Sequence, residues 1–154
     1  MKRLLHTIVV SILERGANLN VNTKYGQETA LGAAVSWGNS IEVVRWLLEK
    51  GANPNILDSS GLGMPLHNAF SVTDETSVME LLIRYGADVN STDSYLKRTP
   101  LHYAAKYNKP NAVKLLLDHG ASTSVRDEKG DLPIDLANDE NVIALLRDYR
   151  QPHR

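Results

Sequence analysis

His67 and His102 stand 35 residues apart, and neutral imidazole is the commonest protein ligand for transition metals. Asp58, Asp93 and Asp127 recur at nearly the same interval, and grouped carboxylates could do acid–base work. Ser11, Ser36, Ser59 and Ser71 are hydroxyls that a neighbouring base could activate. Gly61-Leu62-Gly63 has the look of part of a phosphate-cradling loop. None of these sets is completed. The glycines precede Pro65 with no strand before them, which reads as a turn, and no serine sits in a nucleophile motif. Gly-x-Gly-x-x-Gly, Gly-Lys-Ser/Thr and His-Glu-x-x-His are all absent. The chain has no cysteine, which removes thiolate metal sites, cysteine nucleophiles and disulfides together. No catalytic residue, no metal site and no cofactor is expected.

The remaining composition is that of a folded chain of one domain or one regular array. The 154 residues are 42% hydrophobic and 23% charged, with a formal net charge of −1. That balance creates no field to gather nucleic acid or an anionic membrane, so neither is expected as a partner. Phe occurs once, so the core must be aliphatic. The basic start and the apolar run Ile8 to Leu13 superficially resemble a leader peptide. They lack a small-x-small cleavage site, Glu14-Arg15 follow directly, and the run is far short of the ~20 residues that span a bilayer. A monomer is the expectation, in the cytoplasm or alternatively in the nucleus or, for a secreted effector, a host cytosol, with residues 151–154 a frayed tail.

A fixed period organises the whole sequence. Gly-Ala occurs at Gly16, Gly51, Gly86 and Gly120, spaced 35, 35 and 34 residues apart. Each is preceded by an apolar pair: Ile12-Leu13, Leu47-Leu48, Leu82-Ile83 and Leu116-Leu117. A second marker keeps step at Thr29-Ala30-Leu31, Met64-Pro65-Leu66, Thr99-Pro100-Leu101 and Leu132-Pro133-Ile134. In the third unit Thr99 is a helix-capping hydroxyl and Pro100 suits the first helical position. Leu101 to Tyr107 gives two turns, Asn108-Lys109-Pro110 interrupts, and Ala112 to Leu117 has helical apolar spacing. Gly120 ends that second helix with a left-handed residue, and a polar loop follows. Such a helix pair cannot bury both faces alone, whereas a stack of pairs can. The aspartates, recurring once per unit, then read as turn residues bonding their own backbone. With neighbouring units about 10 Å apart, one helix diameter, the two histidines cannot easily share an ion.

Thr99-Pro100-Leu101-His102-Tyr103-Ala104-Ala105, with Leu115-Leu116-Leu117-Asp118-His119-Gly120-Ala121, resembles the ankyrin-repeat signature. The resemblance covers nearly the whole chain and implies an all-α solenoid of stacked helix-turn-helix units with β-hairpin-like loops. It also implies that the histidines bond near their helix starts and link adjacent loops. The expected organisation is one domain over 1–150: a half repeat at 1–17, full repeats at 18–52, 53–87 and 88–121, and a cap at 122–150. The departures are an extra loop residue in the first three units, Gly32 replacing the histidine in the first, Phe70 where a small residue is usual, and a shortened last unit. The half repeat is either a minimal cap or a sign that the segment was cut from a longer chain.

Family partners contact loop tips and first helices, which line a concave face. Carried onto this sequence, the partner-binding positions are Tyr25, Trp37, Leu62, Asn68, Tyr95, Leu96, Lys97, Arg98, Tyr103, Lys106 and Tyr107. Aromatic residues and arginine dominate interface hot spots. The bland reading of Tyr103 is packing against a neighbouring repeat, and Trp46 and Tyr85 read as packing on second helices. Lys97, Arg98 and Lys106 make the third repeat basic, which points to a protein partner with an acidic or phosphorylated segment. The function so implied is a non-catalytic protein-interaction module. Two alternatives come with it. The array could be the targeting arm of a larger enzyme or channel, or Asn90 could be the substrate of an asparaginyl hydroxylase.

Overall fold

The computed structural model describes residues 18–21, 29–36, 41–57, 63–71 and 75–149. The expected half repeat at 1–17 and the tail at 151–154 lie outside the described residues. Helices α1 (Ala30–Ser36), α2 (Ile41–Glu49), α3 (Pro65–Asn68, continued by a 3-10 turn Ala69–Ser71), α4 (Glu75–Arg84), α5 (Pro100–Lys106) and α6 (Pro110–Asp118) form three pairs. A 3-10 turn, Pro133–Leu136, and α7 (Glu140–Asp148) form a fourth, abbreviated pair. No strand occurs among the described residues, and the loops at 91–98 and 122–131 are turns.

The first helices form one row, α1 on α3, α3 on α5 and α5 on the second 3-10 turn. The second helices form another, α2 on α4, α4 on α6 and α6 on α7. Between the rows runs an aliphatic core that includes Leu31, Val35, Leu47, Leu66, Met79, Leu82, Leu101, Val113, Leu116, Leu117 and Val142, all at most 2% exposed. Ala104, Ala105 and Ala112 are fully buried, and their small side chains let α5 and α6 approach closely.

The Gly-Ala marker has a simple cause. Gly51, Gly86 and Gly120 have φ of +90°, +90° and +84°, a left-handed conformation that is costly for residues with a Cβ. The Ala121 N–H reaches the Leu116 carbonyl and the Gly120 N–H that of Leu117, both at 2.9 Å. The same crossed pair recurs on Leu47-Leu48 and Leu82-Ile83, which is the Schellman closure of a helix. Asparagine side chains then tie one unit to the next. Asn55 donates to the Gly86 carbonyl at 2.7 Å and accepts from the Asp88 N–H at 2.8 Å. Asn20 makes the equivalent bonds to Gly51 and Asn53, and Asn90 to Gly120 and Ser122.

The helix starts are tied in the same direction. His67 Nδ1 accepts from the Met64 N–H, and its Nε2–H donates to the carbonyls of Ser91 and Arg98, both at 3.1 Å. His102 Nδ1 accepts from the Thr99 N–H and hydroxyl, and its Nε2–H donates to the Asp131 carbonyl at 3.2 Å. Burial lowers the pKa of both rings below the usual histidine value, against the raising effect of these backbone bonds. Each Nδ1 accepts a backbone N–H and each Nε2 faces carbonyl oxygens, which fits the tautomer with its proton on Nε2. Every ring nitrogen is committed, and among the described residues no cluster could hold a metal ion. In the fourth unit Asp135 takes the histidine's place and accepts from the Leu132 N–H at 2.8 Å.

Asp139 caps α7 by accepting from the N–H groups of Asn141 and Val142. Because this cap arrives early, only a four-residue 3-10 turn fits ahead of it. Among the described residues no helix is long and apolar enough to cross a membrane.

Candidate protein-binding surface

The best-defined part of the first-helix and loop face lies on the third unit, and Asp93 organises it. Asp93 is 1% exposed. Its Oδ1 accepts from the N–H groups of Tyr95 and Leu96 at 2.8 and 2.6 Å, and its Oδ2 from the Arg98 N–H at 3.1 Å. The Asp93 N–H donates to the Arg98 carbonyl at 2.9 Å, closing the turn. Asp127 does the same in the next loop, where the closing partner is Asp131, four residues on rather than five. The extra residue of the third loop is absorbed at Lys97, whose φ of +54° is left-handed. Asp58 lies outside the described residues.

The turn ends at Tyr95, 73% exposed, and Lys97, also exposed. Leu96, expected as a partner-binding position, is half-buried, and its carbonyl accepts the Glu128 N–H at 2.8 Å. Two successive loop tips are therefore joined side by side.

Asp93 also reaches the helix face, because the Tyr103 hydroxyl donates to Asp93 Oδ2 at 2.9 Å. Burial first, and then this bond to a carboxylate, raise the Tyr103 pKa well above the ordinary phenol value. One helical turn on, the Tyr107 ring lies 6.3 Å from that of Tyr103 with 22° between their planes. Phe70, from the 3-10 turn after α3, lies 6.5 Å from Tyr103 and 6.4 Å from Tyr107. His67 meets Tyr103 edge-on at 6.0 Å. Tyr107 is 50% exposed, and the Lys106 ammonium sits 5.5 Å from its ring centre. Tyr103 thus packs on the preceding unit, as its bland reading had it, while Tyr107 and Lys106 are exposed.

Arg98 corrects the expectation made for it. It is 6% exposed rather than at the surface. Its Nε donates to Asp127 Oδ2 at 2.9 Å, an ion pair between neighbouring loops. Burial alone would raise the Asp127 carboxyl, but the Arg98 guanidinium and the N–H groups of Asp131 and Lys129 outweigh it and lower the pKa. The guanidinium is already engaged by this carboxylate. Asn68 is half-buried on α3. Tyr25, Trp37 and Leu62 lie outside the described residues. Trp46 packs against the core, whereas Tyr85 is 39% exposed just beyond α4.

Comparison with known families decides the identity of the scaffold. A family model described as "Ankyrin repeats (many copies)" matches residues 12–69 and 82–137. A second, "Ankyrin repeat", matches residues 64–94. The chain belongs to the ankyrin-repeat family. No match was found among curated proteins. Ankyrin repeats generally mediate protein–protein interaction.

Within this ankyrin array, sequence reasoning missed three contributors. Phe70 stands where Ala105 stands one repeat later, and Ala105 is fully buried. A phenyl ring at that position has no room beneath a second helix, and it lies instead against Tyr103 and Tyr107. A bulky residue at a small-residue position was the available signal. Asp93 was read as a turn residue only, and its bond to Tyr103 had no local signature. The bridging asparagines, Asn20, Asn55 and Asn90, carried the signal of a 35-residue spacing.

Proposed function

We propose that this ankyrin array is a non-catalytic module that binds a protein partner through the face formed by its first helices and loop tips. The single observation behind this reading is the cluster of Phe70, Tyr103 and Tyr107 with Lys106 beside it. It spans two repeats and leaves Tyr107 half open. Aromatic side chains offer large contact area with little rotamer entropy to lose. A stack of repeats braced by buried bonds presents them with little ordering cost on association. The exposed lysines beside them favour an acidic or phosphorylated segment on the partner. The domain bounds are those of the repeats, and the reading takes the chain as a cytoplasmic monomer.

Affinity capture from the native cell with mass spectrometry tests it. Replacing Tyr103 and Tyr107 together with Ala should remove the captured partner, with a loss of at least about tenfold in its affinity. Circular dichroism should be retained. A partner captured equally well by the variant would refute the assignment of the face.

A further inference from the structure

The second helices carry a charge pattern that partner binding on the first-helix face leaves unused. Six and two residues ahead of Gly51, Gly86 and Gly120 stand Arg45 and Glu49 on α2, Glu80 and Arg84 on α4, and Lys114 and Asp118 on α6. All six are exposed, and among the described residues none of them sits in an ion pair. Within each helix the two signs lie one turn apart, about 6 Å along the axis. Helix α2 packs on α4 and α4 on α6, and at each step both signs invert. One row therefore reads positive, negative, positive, and the other the reverse. The fourth unit has Ile143 and Arg147 at these positions, so the pattern ends with the third.

We infer that the exposed face of α2, α4 and α6 is a self-complementary contact through which two copies of this chain associate weakly. A two-fold axis parallel to the stack lays each helix antiparallel on the same helix of the second copy. Arg45 of one copy then meets Glu49 of the other, Glu80 meets Arg84, and Lys114 meets Asp118, each pair formed twice. An axis along the helices would instead set Arg45 against Lys114. A slip by one unit would set Arg45 against Arg84 and Glu80 against Asp118, so the alternation also fixes the register. The three helices have 9, 10 and 9 residues, so each is about 14 Å long, with about 10 Å between neighbours. They present about 400 Å² per copy, half of the ~800 Å² per partner in a standard interface, and exposed ion pairs add little each. The chain is therefore a monomer when dilute, as the proposed function takes it, and pairs at high concentration and low salt.

Sedimentation velocity of the full chain, from micromolar to millimolar concentration, reads the association. At low salt the mass should rise toward that of a dimer, and high salt should return it to the monomer. Glu80→Arg sets like charges opposite each other twice per dimer and should weaken pairing by about tenfold or more. Adding Arg84→Glu restores every cross pair and should bring self-association back to within about threefold of the parent. The same double variant should pair poorly with the parent, against which its second unit sets like charge on like. Tyr103→Ala with Tyr107→Ala should pair as the parent does. A chain that stays monomeric throughout would overturn the inference, as would a double variant no better than Glu80→Arg alone, the result expected if the charges only brace neighbouring units. Loss of pairing in the tyrosine variant would put the contact on the first-helix face and overturn it too.

Discussion

Replacing Arg98 with Ala separates a buried structural arginine from a partner contact. With about 4 Å between charge centres and an effective dielectric of about 20, the attraction to Asp127 is about 4 kcal/mol. Much of that offsets the cost of taking both ions out of water, so the intact pair contributes little net stability. Removing one partner is different. Asp127, fully buried as a side chain, would retain the N–H groups of Lys129 and Asp131 but lose its counter-charge. Breaking a buried pair in this way costs about 3–5 kcal/mol, which is about 6–20 °C of melting temperature for a chain of this size. Hydrogen exchange should locate the loss at residues 122–149 and the loop at 93–98. Asp127→Asn in the same background should recover part of the stability, because a neutral amide needs no counter-charge, giving a coupling of about 1–3 kcal/mol in a double-mutant cycle. Thermal melts of the four proteins at pH 7 measure it. An Arg98→Ala variant that melts with the parent would refute the argument.

Acid should weaken the array through His67 and His102. Their folded pKa values are lowered, so the unfolded chain binds more protons, and stability present above about pH 6.5 is lost as pH falls below it. The slope approaches about 2.8 kcal/mol per pH unit for two such groups, and equal urea midpoints at pH 7.5 and 5.5 would exclude it. Asn55→Ala removes two bonds between units and should cost about 1–3 kcal/mol, with exchange accelerated at Asp88, where an unchanged rate would count against the bridge. Gly63→Ala should cost more than about 1 kcal/mol by urea titration, because a Cβ there meets His67 Cβ and Cγ at 2.8 Å and φ is +124°. Lys97→Gly should raise the melting temperature, because φ there is +54° and glycine adopts that conformation at less cost, and an unchanged or lower melting temperature would contradict it.

What was legible beforehand is what local chemistry determines. The Leu116-Leu117 pair and Gly120 close a helix on itself, and Thr99-Pro100 opens one, so spacing alone reveals them. The aliphatic core follows from the same periodicity. Arg98 was misread because its partner, Asp127, lies 29 residues away, and loop arginines are ordinarily solvated. Tyr103 was weighed as a partner contact or a packing residue, and the contacts it makes are packing ones: its hydroxyl finds Asp93 ten residues back while its ring meets Phe70 on the preceding unit. Such contacts depend on how units stack, and no single period displays that.

Most side-chain bonds between units share a sense of direction, the Tyr149 hydroxyl, which donates back to the Leu117 carbonyl, being the exception. Asn55, His67, Asn90, Arg98, His102 and Asn108 all reach from an earlier unit to a later one. The unit at 122–149 receives them but carries Ser124 at the asparagine position, where its hydroxyl bonds Ser122 of its own loop, and Asp135 at the histidine position. Among the described residues it carries neither of these forward-reaching side chains, so the array is polar along its length like a chain of hooks and eyes. Cutting after Ala121 would strand the outward groups of Asn90, Arg98, His102 and Asn108 in one stroke. Shortening from that side therefore requires rewriting the third unit as well as removing the fourth.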